Sequence, residues 1–265
     1  MVLDEIRHLH ETTRFRHLQF VDDTFNVDPE RVKAICQGIL DSRLAFTWEC
    51  GARVDVADRE MFRLMRESGC IRCAFGVPST DDALLKQVNK EALARQIELA
   101  FTLAAEAGLW ADATVLVGNL GETRRTLRNT ADTLARCRIK GLSAQRIVAF
   151  PATHLYRRMV QRGALSDDYW LRHDEAPLFT EEFTPEQLFE QLAYLNMRTL
   201  PRIGDYGNAF KSLLSYVAVH VLWRLHLTTG HVARLVSWWR RRRTAEGETP
   251  GVVGDFPRAS VGSPP

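Results

Sequence analysis

Acidic pairs, a guanidinium and glycine turns recur at the ends of short apolar runs, and they are the residues able to do chemistry. Asp22 and Asp23 follow His17–Val21, and Glu49 with Arg53 closes the run beginning at Phe46. Ser79 and Thr80 follow Cys70–Val77, Gly118, Gly121 and Glu122 follow Asp112–Val117, and Pro151 to Thr153 follow Arg146–Phe150. Carboxylates there meet an ammonium group and a guanidinium meets a carboxylate, so such a ring suits a zwitterionic ligand. Each piece has a plainer reading beside it. Paired aspartates also cap helices, and Arg53 has Asp55 and Asp58 close by in sequence to pair with.

Those residues need a scaffold that gathers strand ends. Apolar β-branched runs alternate with charged stretches whose apolar residues recur at three- and four-residue spacing, the βα rhythm of a parallel sheet. Strands are expected at 17–21, 46–50, 70–77, 112–117 and 146–150, each but the last followed by a helix. Asp28 before Pro29 and Asp58 before a Met61, Phe62, Leu64 and Met65 stripe are helix starts. In barrels and open parallel sheets ligands bind beyond the carboxyl ends of the strands, where these residues stand.

The composition is that of an ordinary globular protein. In 265 residues, 45% hydrophobic and 26% charged with a net charge of +2, nothing calls for nucleic acid. Five cysteines at irregular spacing do not describe a secreted disulfide framework, and neither a signal peptide nor a spanning run is evident, so cytoplasm is the expected location. Cys70 and Cys73 form a CxxC; as residues three apart on a regular strand they would point to opposite faces, which favours structural thiols over a metal pair. The expected metal ligand set is therefore empty.

Past Leu155 the pattern turns acidic, aromatic and proline-containing, with a helix from about Pro185 to Leu200. An apolar helix over 209–227 and a second segment ending Trp238-Trp-Arg-Arg-Arg-Arg243 read either as an interfacial membrane contact or as a core or dimer helix with a solvated basic end. On the first reading the protein sits against the inner face of the membrane. Residues 244–265, rich in Gly, Pro and Ser, are expected to be disordered. The domain expectation is 1–156 for the barrel portion, 157–243 for a helical extension and 244–265 for the tail.

In order, the motifs Phe20-Val-Asp-Asp-Thr-Phe25, Trp48-Glu-Cys-Gly-Ala-Arg-Val-Asp55, Gly69-Cys-Ile-Arg-Cys-Ala-Phe-Gly-Val-Pro-Ser79, Val88-Asn-Lys90, Gly118-Asn-Leu-Gly-Glu-Thr123 and Pro151-Ala-Thr153 resemble the radical S-adenosylmethionine (SAM) superfamily. The likeness, over about Val2 to Tyr156, is to the branch often carrying an N-terminal cobalamin-binding domain. It implies a partial (β/α) TIM-like barrel lacking its first strand and cluster loop, with a helical C-terminal extension. It also implies SAM, a [4Fe–4S] cluster and, in part of the branch, cobalamin as cofactors. A reducing partner such as flavodoxin or ferredoxin and a small, lipid-like substrate to be methylated, cyclised or rearranged are implied as well.

Carried over by position, Asp22 and Asp23 meet the SAM amino group, Glu49 and Arg53 approach SAM from the next strand, and Lys90 meets its carboxylate. Ser79 ends the third strand, Val115, Val117, Gly118 and Glu122 flank the adenine, and Phe150 and Pro151 lie at its edge. Pro78 and Leu120 depart from the family's usual glutamate or glutamine and proline. The CxxxCxxC triad of the cluster is absent from the sequence. The expectation is a truncated enzyme, inactive alone, whose alternative is a cluster-less SAM- or partner-binding remnant. A third reading, a cluster-independent barrel enzyme, would use Asp23 and Glu122 as acid and base.

Overall fold

A computed structural model describes residues 1–87, 93–166, 168–172 and 176–224. It contains helix α1 (Val2–Thr13), β1 (His17–Phe20), α2 (Pro29–Ser42), β2 (Thr47–Ala52), α3 (Arg59–Glu67), β3 (Cys70–Gly76), α4 (Asp82–Gln87), α5 (Ala94–Glu106), β4 (Trp110–Val117), α6 (Arg124–Arg136) and β5 (Gly141–Arg146). Beyond these lie α7 (His154–Gln161), α8 (Tyr169–Arg172), α9 (Pro185–Thr199), a 3-10 turn (Leu200–Ile203) and α10 (Tyr206–Arg224). Lys90, the Trp238–Arg243 segment and residues 244–265 lie outside the described residues.

The sheet has five strands in the order β1-β2-β3-β4-β5, every neighbouring pair parallel. Each βα loop ends in a residue that stops the chain from continuing as a strand. The Asp28 carboxylate accepts from the Glu30 and Arg31 amides at 3.0 and 3.2 Å, Asp58 accepts from Met61 at 2.7 Å, and Thr123 accepts from Thr126 at 3.2 Å. Such caps contribute about 1 kcal/mol apiece. The result is the α/β architecture of a partial barrel.

Strand alternation divides the sheet into two unlike faces. Trp48, Cys50, Phe75, Ala113, Val115 and Val117 belong to the buried core, with Ile35, Met61, Phe62, Ile97, Phe101 and Leu134 of the helices. Glu49, Arg72, Thr114 and Leu116 alternate with them on the other face and are only partly buried or exposed. There Arg72 bridges Glu49 at 3.3 Å and Asp112 at 2.5 Å, a ladder of opposite charges across three strands. Gly141 makes room for it, since a Cβ at that position would stand 2.6 Å from the Asp112 carboxylate.

Two expectations are corrected. The last strand is Gly141–Arg146 rather than 146–150. The apolar run Ile147–Phe150 owes its composition to a second small core with Tyr156, Met159 and Phe179, and Val148 makes an antiparallel bridge to Leu178. Cys70 and Cys73, in turn, do not point to opposite faces. Trp48 pairs with Cys70 and Glu49 with Arg72, so Ile71 is an extra residue, a bulge that turns both cysteines into the core.

The C-terminal segment closes one flank. The chain divides into two compact units, Met1–Tyr216 and Val217 onward, and the first carries the sheet and α9. Arg198 of α9 makes a two-pronged contact with Asp132 of α6, at 3.1 and 2.9 Å, and Arg202 reaches the same carboxylate. These guanidiniums, Arg198 first, hold the Asp132 carboxyl below its usual range. A group depressed in this way contributes stability above its unfolded pKa and loses it as pH falls through the folded value. Asp132→Asn should therefore lower stability at pH 7 by about 1 kcal/mol, as a half-exposed pair allows. The gap from wild type should close on acidification, as read from thermal melts at pH 7 and pH 3.

Candidate cofactor site

Beyond the carboxyl ends of β3, β4 and β5 lies a cavity of about 700 Å³. Its wall is largely apolar, with Val77, Pro78, Leu116, Leu120, Ile147 and Leu155, and its polar points are Gln87, Thr114, Asn119 and His154. That size and mixture are those of a small-molecule site, where apolar surface gives affinity and a few polar groups give orientation.

The floor is set by the turn after β4. Gly118 has φ +104°, and a Cβ there would lie 2.5 Å from Leu188 of α9 and 2.9 Å from Ile147. Glycine is required on both counts. Glu122, 4% exposed, folds back so that one carboxylate oxygen accepts from the Gly118 amide at 2.6 Å and the other lies 3.5 Å from the Asn119 side-chain nitrogen. Asn119 donates to the Leu116 carbonyl at 2.7 Å and to that of Pro78 at 3.4 Å, tying β4 to β3. From outside, the Glu182 carboxylate accepts from the Gly121 amide at 2.9 Å.

The acidic loop is positioned separately. Asn26, fully buried, donates to the Arg53 carbonyl at 2.9 Å and accepts from the Arg53 amide at 2.7 Å, so one amide side chain mimics a strand partner. Phe25 adds a backbone bond to Gly51 at 3.0 Å. Asp22 and Asp23 are thereby held beside the end of β2, exposed, and among the described residues no side chain pairs with their carboxylates. Arg53 is half-buried and pairs with Asp55, its Nε at 2.9 Å from Oδ1.

The remaining expected residues divide by face. Glu49 is on the open face, bound to Arg72. Ser79 is buried and its hydroxyl accepts from the Asp81 amide at 3.1 Å, a turn contact. Val117 is fully buried in the helix-covered core. Phe150 is exposed and stacks on Trp170 at 6.2 Å between ring centroids, and Pro151 beside it is exposed too. The cavity wall is thus built from neighbours of the expected residues. Thr114 and Leu116 were missed although they are legible: if Val115 and Val117 face the helices, the residues between them face the ligand side. His154 carried no signal beyond its place after the Pro151 turn.

The family model for the radical SAM superfamily matches residues 1–134. The chain belongs to the radical SAM superfamily. An uncharacterized methyltransferase of Pyrococcus horikoshii is 24% identical over 206 residues, 76% of this chain and 45% of that protein. The anaerobic magnesium-protoporphyrin IX monomethyl ester cyclase of Rubrivivax gelatinosus is 26% identical over 131 residues, 49% of this chain and 24% of the cyclase. The chain thus spans less than half the length of these relatives. Among solved structures, the radical SAM methyltransferase TsrM of Kitasatospora setae, with cobalamin and a [4Fe–4S] cluster bound, superposes with TM-score 0.56 at 20% identity. That match covers 62% of this chain and 31% of TsrM. It supports the fold.

Radical SAM membership implies SAM and a [4Fe–4S] cluster. Among the described residues the one group of three adjacent potential ligands is Cys50, Cys70 and Cys73, whose Sγ atoms lie within 4.8 Å of one another. These thiols are fully or nearly fully buried on the helix-covered face, away from the cavity. Each thiolate of such a cluster binds its own iron, whereas these sulfurs are close enough to share one ion. They do not fit the cluster.

Burial raises the Glu122 carboxyl to about 7, against a usual 4.5, despite the Gly118 and Asn119 hydrogen bonds. A raised acid favours the folded state below its unfolded pKa, and that advantage is lost as pH rises through the folded value. Between pH 4.5 and 7 this carboxyl should cost about 3 kcal/mol of stability. Glu122→Gln, which keeps an acceptor for Gly118, should flatten that part of the profile; chemical denaturation of both proteins across pH 5 to 8 checks it. Gly118→Ala, strained and colliding with Leu188, should destabilise by about 2 kcal/mol or more, as read from the same denaturation curves.

Proposed function

We propose that the chain is the SAM-binding part of a radical SAM enzyme that methylates, cyclises or rearranges a hydrophobic small molecule. The observation that carries this reading is the cavity bounded by the Gly118–Glu122 turn, apolar on its walls and polar at Asn119, Thr114 and His154. An adenosine moiety is flat and apolar on its faces and hydrogen-bonds at its edges, which matches that lining. Residues 1–156 form the barrel portion in this reading and 157–243 a helical extension.

Asp22 and Asp23 take the SAM ammonium group, with Glu49 and Arg53 near them and Lys90 as partner of the carboxylate. Ser79, Val117, Gly118, Glu122, Phe150 and Pro151 act around the adenine, chiefly by shaping the backbone that surrounds it. SAM supplies a methyl or adenosyl group, and the chain's own residues bind, orient and exclude water. With no cysteine set for the cluster among the described residues, this chain binds SAM without cleaving it, and the cluster-bearing loop, the electrons from a flavodoxin or ferredoxin and any cobalamin are supplied by the intact enzyme. Among the described residues no helix is long and apolar enough to cross a membrane. A cytoplasmic protein touching the inner membrane face through 209–243 fits a lipid-like substrate.

A second reading, a cluster-less SAM- or partner-binding remnant, draws on the same mismatch between the cysteines and the cluster. Calorimetric titration of the purified, anaerobic chain with SAM tests both, and assays of its iron content and of 5′-deoxyadenosine release separate them. Saturable binding is expected, and Leu116→Trp, which fills the cavity, should weaken it about tenfold or more, the effect of losing about 1.4 kcal/mol of contact. No heat of binding in wild type would remove both readings. Stoichiometric iron with release of 5′-deoxyadenosine would remove the remnant and the claim that the chain is inactive alone.

A further inference from the structure

The three core cysteines do not fit a cubane, yet their arrangement is not what packing alone calls for. Cys50 comes from β2 and Cys70 and Cys73 from β3, and the extra residue Ile71 is what brings Cys70 onto the face of the other two. The Cys70 and Cys73 sulfurs are 4.0 Å apart and all three lie within 4.8 Å. Three sulfurs around one ion at a metal–sulfur distance of about 2.3 Å stand about 4.0 Å apart in a trigonal plane. Core packing needs only volume, which alanine or valine would also supply.

We propose that Cys50, Cys70 and Cys73 form a three-coordinate site for a single Cu(I) ion, buried between the sheet and its helices.

The donor set selects the ion. Thiolates prefer soft metals, and among these Zn(II) demands four ligands in structural sites. Among the described residues no fourth His, Cys, Asp or Glu joins the group; Cys36 shares the core but falls outside the 4.8 Å set. Cu(I) accepts three sulfurs, and the buried core that the cysteines share with Trp48, Phe62 and Phe75 is poor in the oxygen ligands that hard cations need. Binding displaces thiol protons to solvent as copper–sulfur bonds form; copper remains Cu(I) and sulfur is not oxidised, so no electron donor or acceptor is needed. Cys70 also gives up its weak 3.5 Å contact to the Arg72 carbonyl.

The test is anaerobic titration of the reduced, full chain with Cu(I) against bathocuproine disulfonate as a coloured competitor, followed by copper X-ray absorption on the loaded protein. The expected result is one copper per chain with three sulfurs in a single shell. Cys50→Ala with Cys73→Ala should weaken retention by more than about tenfold, while Cys36→Ala and Cys137→Ala leave it unchanged. Should the double variant fail to fold, the wild-type spectrum decides alone. A linear two-sulfur copper, nitrogen or oxygen in the shell, no copper retained by wild type, or full retention by a folded double variant would each overturn the site. None of these outcomes depends on whether SAM binds.

Discussion

Everything in this molecule depends on the two-residue alternation of five parallel strands, one face of which is dry. Trp48, Phe62, Phe75 and Phe101 are fully buried between sheet and helices, and each contributes on the order of 2 to 3 kcal/mol by leaving water. A register slip of one residue would exchange that face for the one carrying Glu49, Arg72 and Asp112 and would bury unpaired charge in the core. Register is therefore fixed from the helix side, and the ligand side inherits its geometry. That inheritance lets Thr114 and Leu116 line a cavity they do nothing to stabilise.

The site itself is a collection of backbone solutions. Glu122 satisfies the amide of a glycine whose conformation other residues avoid, Asn119 ties two strand ends, and Asn26 stands in for a missing stretch of ladder beside Arg53. Side chains that in isolation look like acids and bases are in these cases occupied in holding a loop. Glu122 is the clearest instance: its carboxyl is raised by burial, as a general acid's would be, yet its oxygens face the Gly118 amide and the Asn119 side chain, and Glu122 does not line the cavity. A cluster-independent acid–base role for it finds no geometric support. Asp22 and Asp23, exposed and aligned by the Asn26 clamp, are better placed to meet a ligand.

Much of the fold was legible because helix stripes and caps are local. Asp28 and Asp58 mark helix starts in sequence and in structure, and the strand pattern gave four of five strands near their true bounds. The fifth was misread because Ile147–Phe150 is apolar for a tertiary reason, a second small core built with Phe179, to which periodicity is blind. The site was legible only as far as its neighbourhood. Order and spacing of motifs pointed to the loops after β1, β2, β3 and β4, but which residue of a loop turns toward a ligand depends on hydrogen bonds such as Ser79 to Asp81, invisible without coordinates. The cysteine geometry was hidden for the same reason, since a bulge leaves no mark in composition.

That bulge has an implication for how the chain tolerates change in length. Deleting Ile71 would restore an uninterrupted ladder in which Cys70, Arg72 and Cys73 alternate in, out and in, so Cys70 would stay in the core opposite Trp48 and the connection from α3, with Gly69 at φ +99°, would keep its length. Deleting Arg72 instead would leave the same alternation but take from the open face the guanidinium that joins Glu49 to Asp112. The start of β3 can thus lose either residue without disturbing the dry face, and only one of them without disturbing the charged one.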